Sequence, residues 1–386
     1  MTQMKNTRFH ITRLRAAAWL TALAMLLALI PLGLAQLQAA TYAGYTNAYG
    51  AGLTPTEMTA LGLTVQPDGT AANPWLISTG EELLGINDQG LDAHYRLMSD
   101  VSLADWGSGD ASPYGFGWPM IGVGTAAGGA PASLVGTPFT GSLDGGIYNA
   151  ADELIGVYKI TDLYINGTAA NVNYGLFSWA NAAEFKNFEV VTANISGVGV
   201  KGSQYTTILL GVGMPVTVGA YAGPIKITNV TTRGILNGAA NTAAFFGTML
   251  GEVKDSTNYA AVTGPASRVG GFGAWSGATT YTNCINYGAI TGQAYVGGIA
   301  ASGIGTYTNC ANFGALSANS ASVAGFIGGI VGDAAAVNPG NVTFTDCISV
   351  APISSTGGAT VGRLYGGIVG GGGATSVTTL SLTRCA

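Results

Sequence analysis

Thr282-Asn283-Cys284-Ile285-Asn286-Tyr287-Gly288-Ala289-Ile290 returns 26 residues later as Thr308-Asn309-Cys310-Ala311-Asn312-Phe313-Gly314-Ala315-Leu316. The same Asx position recurs outward in both directions. It heads Thr161-Asp162-Leu163, Lys186-Asn187-Phe188, Thr228-Asn229-Val230, Lys254-Asp255-Ser256, Thr345-Asp346-Cys347 and Thr383-Arg384-Cys385. The intervals are 25, 42, 26, 28, 26, 37 and 38 residues, and only Arg384 departs from Asn or Asp. A repeat of that length means stacked supersecondary units. Each unit reads as an apolar-glycine strand such as Val269-Gly270-Gly271-Phe272 or Val296-Gly297-Gly298-Ile299, then an Asx turn, then a second strand. WD-type propeller blades need about 40 to 45 residues and a Trp-Asp signature, and leucine-rich repeats need denser Leu. The pattern predicts an all-β chain: a right-handed parallel β-helix with units of about 26 residues, equivalent residues stacking in columns at about 4.8 Å.

Composition agrees with many short strands and tight turns. Gly supplies 61 of 386 residues and charged residues only 9%, against about 25% charged in ordinary domains. So low a charge excludes a disordered acidic or basic tail. So much Gly argues against a helical domain, because Gly weakens helix interiors by about 1 kcal/mol.

The N-terminus reads as a targeting segment, residues 1–40. Lys5, Arg8, Arg13 and Arg15 precede an apolar run over 16–34, and small residues follow at Ala35, Ala39 and Ala40. Cleavage after Ala39 or Ala40 is expected, the alternative being a retained anchor, since about 20 apolar residues can span a bilayer. Past the leader 10 basic residues face 19 acidic ones, a net charge near −9. That balance repels nucleic acid and anionic membranes. Residues 41–72 read as a linker. Residues 73–158 read as an N-terminal cap with irregular first units, where Ser78 or Thr79 caps a short helix over about 81–86. Residues 159–386 read as the repeat, with a long insertion at 198–217. The sequence stops in the opening of another Asx turn, which predicts a longer protein or an end docked on a partner.

Tyr174-Gly175-Leu176-Phe177, followed by Ala180, Phe185, Asn187, Phe188 and Val190, resembles the GLUG motif of bacterial surface β-helices. Upstream pieces, among them Trp118-Pro119-Met120-Ile121-Gly122 and Phe139-Thr140-Gly141-Ser142-Leu143-Asp144-Gly145, resemble the lead-in of such proteins. The resemblance covers residues 68–386 and implies a secreted or cell-surface, adhesin-like protein whose partner is an extracellular glycan or protein surface. Some family members are proteases, yet no His-Glu-x-x-His occurs here.

Candidate chemistry is sparse. Asp162, Asn187, Asn229, Asp255, Asn283, Asn309 and Asp346 form a structural turn ladder, since Asx residues tolerate left-handed backbone. Leu163, Phe188, Val230, Cys284, Cys310, Cys347 and Cys385 form a core column one residue on. The four cysteines are a reduced stack or bridge neighbouring units, and metal binding is not expected without a close Cys pair. Trp75 and Trp118 read as core, while Trp106 in Asp105-Trp106-Gly107 is the best exposed candidate for stacking on sugar. A single mature histidine, His94, removes most Ser/His and Cys/His arrangements. Glycosidases need paired carboxylates about 5 to 9.5 Å apart. After residue 190 only Glu252, Asp255, Asp333 and Asp346 are acidic. The expectation is a non-catalytic structural or adhesin-like domain without cofactor, the alternative a carbohydrate-active β-helix lyase or hydrolase.

Overall fold

The computed structural model describes residues 53–61, 63–107, 117–122, 124–126, 134–167, 172–197, 205–214, 223–238, 241–265, 268–319, 325–334, 340–355, 364–371 and 377–386. The expected leader lies outside them. The chain is mostly β, and its strands stack in parallel as a solenoid-like fold. Two neighbouring repeats show the rule. Arg268–Gly270, Gly273–Thr282, Ile285–Asn286 and Ile290–Gly292 pair in turn with Tyr295–Gly297, Ala300–Thr308, Ala311–Asn312 and Leu316–Ala318. Val269 lies on Val296, Tyr281 on Tyr307 and Ile290 on Leu316.

Because pairing is parallel and in register, like residues pile up. One interior column runs Leu143, Phe185, Ile227, Val253, Tyr281, Tyr307 and Phe344, all buried. Fully burying a side chain of this size contributes about 1.5 to 3 kcal/mol. Each repeat is therefore stabilised mainly by its neighbours. Among the described pairings, Gly124–Ala126 with Leu134–Gly136 and Gly146–Tyr148 with Leu154–Thr161 are antiparallel, as is the single bridge between Gly117 and Ile165.

The structure corrects the expected register at one end of the ladder. Val191 pairs with Thr161, and the Asp162 amide donates to Thr192 Oγ1 at 2.9 Å, so Asp162 stacks on Thr192, not on Asn187. Leu163 correspondingly sits beside Ala193, while Phe188 lies on Tyr158. Asp162 and Thr192 both have positive φ, 61° and 54°. Two corners of the repeat thus use left-handed residues, and sequence spacing alone confuses them.

The apolar-glycine strands are also corners. Val269-Gly270 closes one strand, Gly271-Phe272 turns, and Gly273 opens the next. A Cβ at Gly271 would lie 2.1 Å from the Gly298 carbonyl oxygen, so glycine is required there. The expected insertion at 198–217 contains ordinary repeat strands, Tyr205–Thr207 and Leu210–Gly213, paired to Asn241–Ala243 and Phe246–Met249.

The lead-in is more ordered than expected. Pro55–Ala60 is a helix with a complete Thr54/Glu57 capping box, a signal present in Thr54-Pro55-Thr56-Glu57 and missed in reading 41–72 as linker. Beside it, Leu53, Leu76 and Met98 form a small satellite core with Met58, Leu61 and Leu63. The second helix runs Gly80–Leu84, with Thr79 Oγ1 accepting from the Glu82 amide, and a further turn spans Ile86–Gln89. Leu83 and Ile86 are buried in the main core.

At the other end the columns open. Leu380 pairs on Val342 and Leu382 on Phe344, yet the former pair of leucines is 48% and 50% exposed while Val342 and Phe344 are fully buried. Among the described residues no helix is long and apolar enough to cross a membrane.

Candidate functional site

Three sets of columns carry the polar and reactive groups. The first is the Asx corner. From Asn187 to Asp346 its members hold φ between 50° and 58°. Side chains bond along the stack: Asn229 Nδ2 donates to Asn187 Oδ1 at 3.0 Å, Asn283 to Asp255 at 2.6 Å, and Asn309 to Asn283 at 3.2 Å. Asn187 also donates to Asp144 Oδ1 and Tyr148 Oη. Arg384 takes the last place and grips Asp346 with two 2.6 Å bonds, from Nε to Oδ1 and from Nη2 to Oδ2. That grip holds the Asp346 carboxyl below its usual 3.8. Asp162 is lowered too, first by the hydroxyl of Thr161.

One residue further inward lie Phe188, Val230, Ser256, Cys284, Cys310 and Cys347, all buried, with Cys385 partly exposed at the end. All four cysteines are free. Cys284, Cys310 and Cys347 donate to carbonyls of the preceding repeat, those of Val253, Tyr281 and Tyr307, at 3.4, 3.7 and 3.4 Å. Burial, then the neighbouring Cys284 thiol, pushes Cys310 well up; the Cys310 thiol, then burial, does the same to Cys347. Thiolate formation is therefore suppressed at Cys310 and Cys347.

A second ladder was missed in the sequence. Thr232, Asn258, Asn286 and Asn312 are fully buried and bond in series, at 2.8, 2.7 and 2.7 Å. Each Asn amide also reaches a carbonyl two residues on, of Ala260, Gly288 or Gly314. The repeated Asn-aromatic-Gly after the cysteine was its signal. Beside it, outside, Tyr259, Tyr287 and Phe313 stack at 4.9 and 5.2 Å, and Arg233 covers Tyr259 at 3.9 Å. Facing ring surfaces cover one another along the stack, and all three side chains remain exposed at its outside.

The third set lies across the glycine corner. Tyr205, Asn241, Arg268, Tyr295 and Phe326 form one outer column. Trp179, Val212, Thr248, Trp275, Ser302 and Asp333 form the other. The columns lean together: Tyr205 packs with Trp179 and Val212, and the Arg268 guanidinium lies 5.1 Å from the Trp275 ring and 5.6 Å from the Tyr295 ring. Burial pushes the Tyr205 phenol up to about 12.

Other expectations are redistributed. Trp106, expected exposed, is 7% accessible and packs edge-on against buried Trp118 at 5.1 Å. Its loop sits over Gly80, where a Cβ would meet the indole, so the helix start covers the ring. Residues 108–110 of that loop lie outside the described residues. His94 Nδ1 bonds Ser142 Oγ at 2.8 Å. Of the GLUG-like residues, Leu176 and Phe177 are buried core, and Gly175 occupies the same corner as Gly271. Among the described residues no cluster of three or more His, Cys, Asp or Glu is placed to hold a metal.

No protein-family profile and no curated protein matches the sequence. Among solved structures the chain is similar to the crystal structure of a protein from Bacteroides ovatus named a "putative immunoglobulin A1 protease". Identity is 18%, with 83% of this chain and 86% of that chain covered and a TM-score of 0.51. At that identity the likeness is one of fold alone.

Proposed function

We propose that this chain is an exported, surface-displayed binding scaffold: a right-handed parallel β-helix of the GLUG type, adhesin-like and non-catalytic. The observation that carries the reading is where its polar groups are used. Asn187, Asn229, Asp255, Asn283, Asn309 and Asp346 serve corners, and Asn258, Asn286 and Asn312 bond one another inside. Of the acids after residue 190, Asp255 receives the Asn283 amide and Asp346 the Arg384 guanidinium. A long stack held this way is rigid and offers extended faces, which suits presentation and binding. Surface display is tested by cell fractionation and by protease shaving of intact cells; a cytoplasmic protein resistant to shaving sinks it. Catalysis is tested by incubating the purified chain with acidic and neutral polysaccharides and with immunoglobulin A1. No new reducing ends, unsaturated uronates or protein fragments are expected, and turnover abolished by a single carboxylate substitution would replace the scaffold reading with an enzyme. Handedness is checked by an experimental structure.

A further inference from the structure

We propose that this chain carries an ice-binding face, a two-column array of hydroxyls that matches the oxygen lattice of frozen water. The proposal goes beyond the scaffold reading and does not depend on where the chain is displayed. Four successive repeats read Thr280-Tyr281-Thr282, Thr306-Tyr307-Thr308, Thr343-Phe344-Thr345 and Ser381-Leu382-Thr383. Strand pairing sets Thr280, Thr306, Thr343 and Ser381 in one column and Thr282, Thr308, Thr345 and Thr383 in another. All eight are exposed or half-buried, whereas Tyr281, Tyr307 and Phe344 between them are fully buried. Among the described residues none of the eight hydroxyls bonds another protein group.

The array is held flat from inside. Tyr281 stacks on Tyr307 at 4.8 Å with 8° between ring planes, and Tyr307 on Phe344 at 4.9 Å with 13°. Ladders of this kind suppress the ordinary twist of about 20 to 25° between strands. Pairing runs without a register shift through all four segments. Hydroxyls therefore repeat at about 4.8 Å along the stack and, two residues apart, at about 6.6 to 6.8 Å along each strand. Tetrahedral water with O–H···O bonds of about 2.75 Å has oxygens about 4.5 Å apart along one axis of ice and about 7.3 Å apart at right angles to it. The misfit is about 0.3 Å per repeat, so it reaches only about 1 Å across four repeats. Across the two columns the second misfit is met once.

The chemistry agrees with the spacing. Each hydroxyl both donates and accepts, as a lattice water does. Neither column of the array carries a charge, which would gather water in its own shell and break the lattice. Upstream the same columns continue as Glu252 and Lys254, and this bounds the face at four repeats. At the adjoining corner Asp346 and Arg384 neutralise each other. A small soluble ligand offers no two-dimensional repeat to such a face; a crystal surface does.

The test grows ice slowly from a dilute solution of the purified, fluorescently labelled chain, with serum albumin as the excluded control. The readouts are the ratio of protein in ice to protein in liquid and the size of ice grains after annealing just below melting. The parent should enter the ice and keep grains small. Thr306→Lys with Thr343→Lys should lower the ratio at least about tenfold, with a melting temperature near that of the parent because both sites face outward. The single substitution Thr306→Lys serves where the pair fails to fold. Thr263→Lys with Thr291→Lys, outward on another strand of the repeat, should leave the ratio unchanged. Exclusion of the parent from ice, parent-like enrichment of the Thr306 variants, or an equal loss in the Thr263 pair overturns the proposal. Retention on insoluble cellulose or chitin, lost in the Thr306 variants without any ice binding by the parent, would assign the face to a glycan surface and overturn it too. Surface display is read separately by fractionation, so either result can fail without the other.

Discussion

At the scale of the residue, two asparagine ladders of similar chemistry differ in burial. Asn286 is enclosed and bonds Asn258, Asn312 and the Gly288 carbonyl. Asn286→Ala removes three buried bonds, those with Asn258, Asn312 and the Gly288 carbonyl, so urea unfolding should show a loss of at least about 2 kcal/mol, from about 0.5 to 1.5 per hydrogen bond. Asn309→Ala removes a solvent-facing bond and places Ala at φ 52°; its cost should stay near about 1 to 2 kcal/mol, the left-handed penalty alone. Equal costs would contradict the burial difference. Asp346 allows a test by pH. Its folded pKa is depressed, chiefly by the hydrogen bonds from Arg384, below the usual 3.8. The stabilisation is thus present above the unfolded pKa and lost as pH falls through the folded one. The melting-temperature gap between the parent and Asp346→Asn should be constant from pH 7 to 5 and close below about pH 4.

At the scale of the element, the core column beside the Asx corner decides two outcomes. Phe188 is fully buried between Tyr158 and Val230. Phe188→Ala should cost about 3 to 5 kcal/mol by denaturant titration; an unchanged midpoint would mean that the column faces solvent. Further along the column the side chains become thiols. Cys284, Cys310 and Cys347 are buried and Cys385 is not. Ellman's reagent should titrate one thiol in the native chain and four in guanidinium, because reaction needs an accessible thiolate. Fewer than four after denaturation would reveal bridges between neighbouring repeats. Parallel side-chain directions oppose such bridges even though stacked Cα spacing allows them.

At the scale of the whole molecule, the two ends of the stack differ. Near the start, Leu83 and Ile86 of the helical segment are buried in the core. At the far end Leu364, Tyr365, Leu380 and Leu382 are about half exposed although the residues they stack on include buried Ile327, Val342 and Phe344. Unpaired strand edges beside apolar side chains template further pairing. A polypeptide spanning 41–386 should therefore show mass above that of a monomer by light scattering at high concentration. Leu380→Ser with Leu382→Ser should shift it toward monomer. A parent that stays monomeric would show that this face is protected by something else.

The repeat, its period and the left-handed Asx corner were legible because local chemistry determines them. Asn and Asp tolerate positive φ through their own short polar side chains, and a period survives any packing. The capping box of Thr54 and Glu57 was equally local and simply overlooked. What the tertiary structure decided is which like-looking segments stack. Thr161-Asp162-Leu163 matches the motif by spacing yet belongs to the next corner, because only interstrand hydrogen bonding sets register. Likewise the buried Asn258–Asn286–Asn312 series and the meeting of Arg268 with Trp275 depend on which face each strand turns inward. Packing between repeats settles that choice, and residue identity along a single repeat does not contain it.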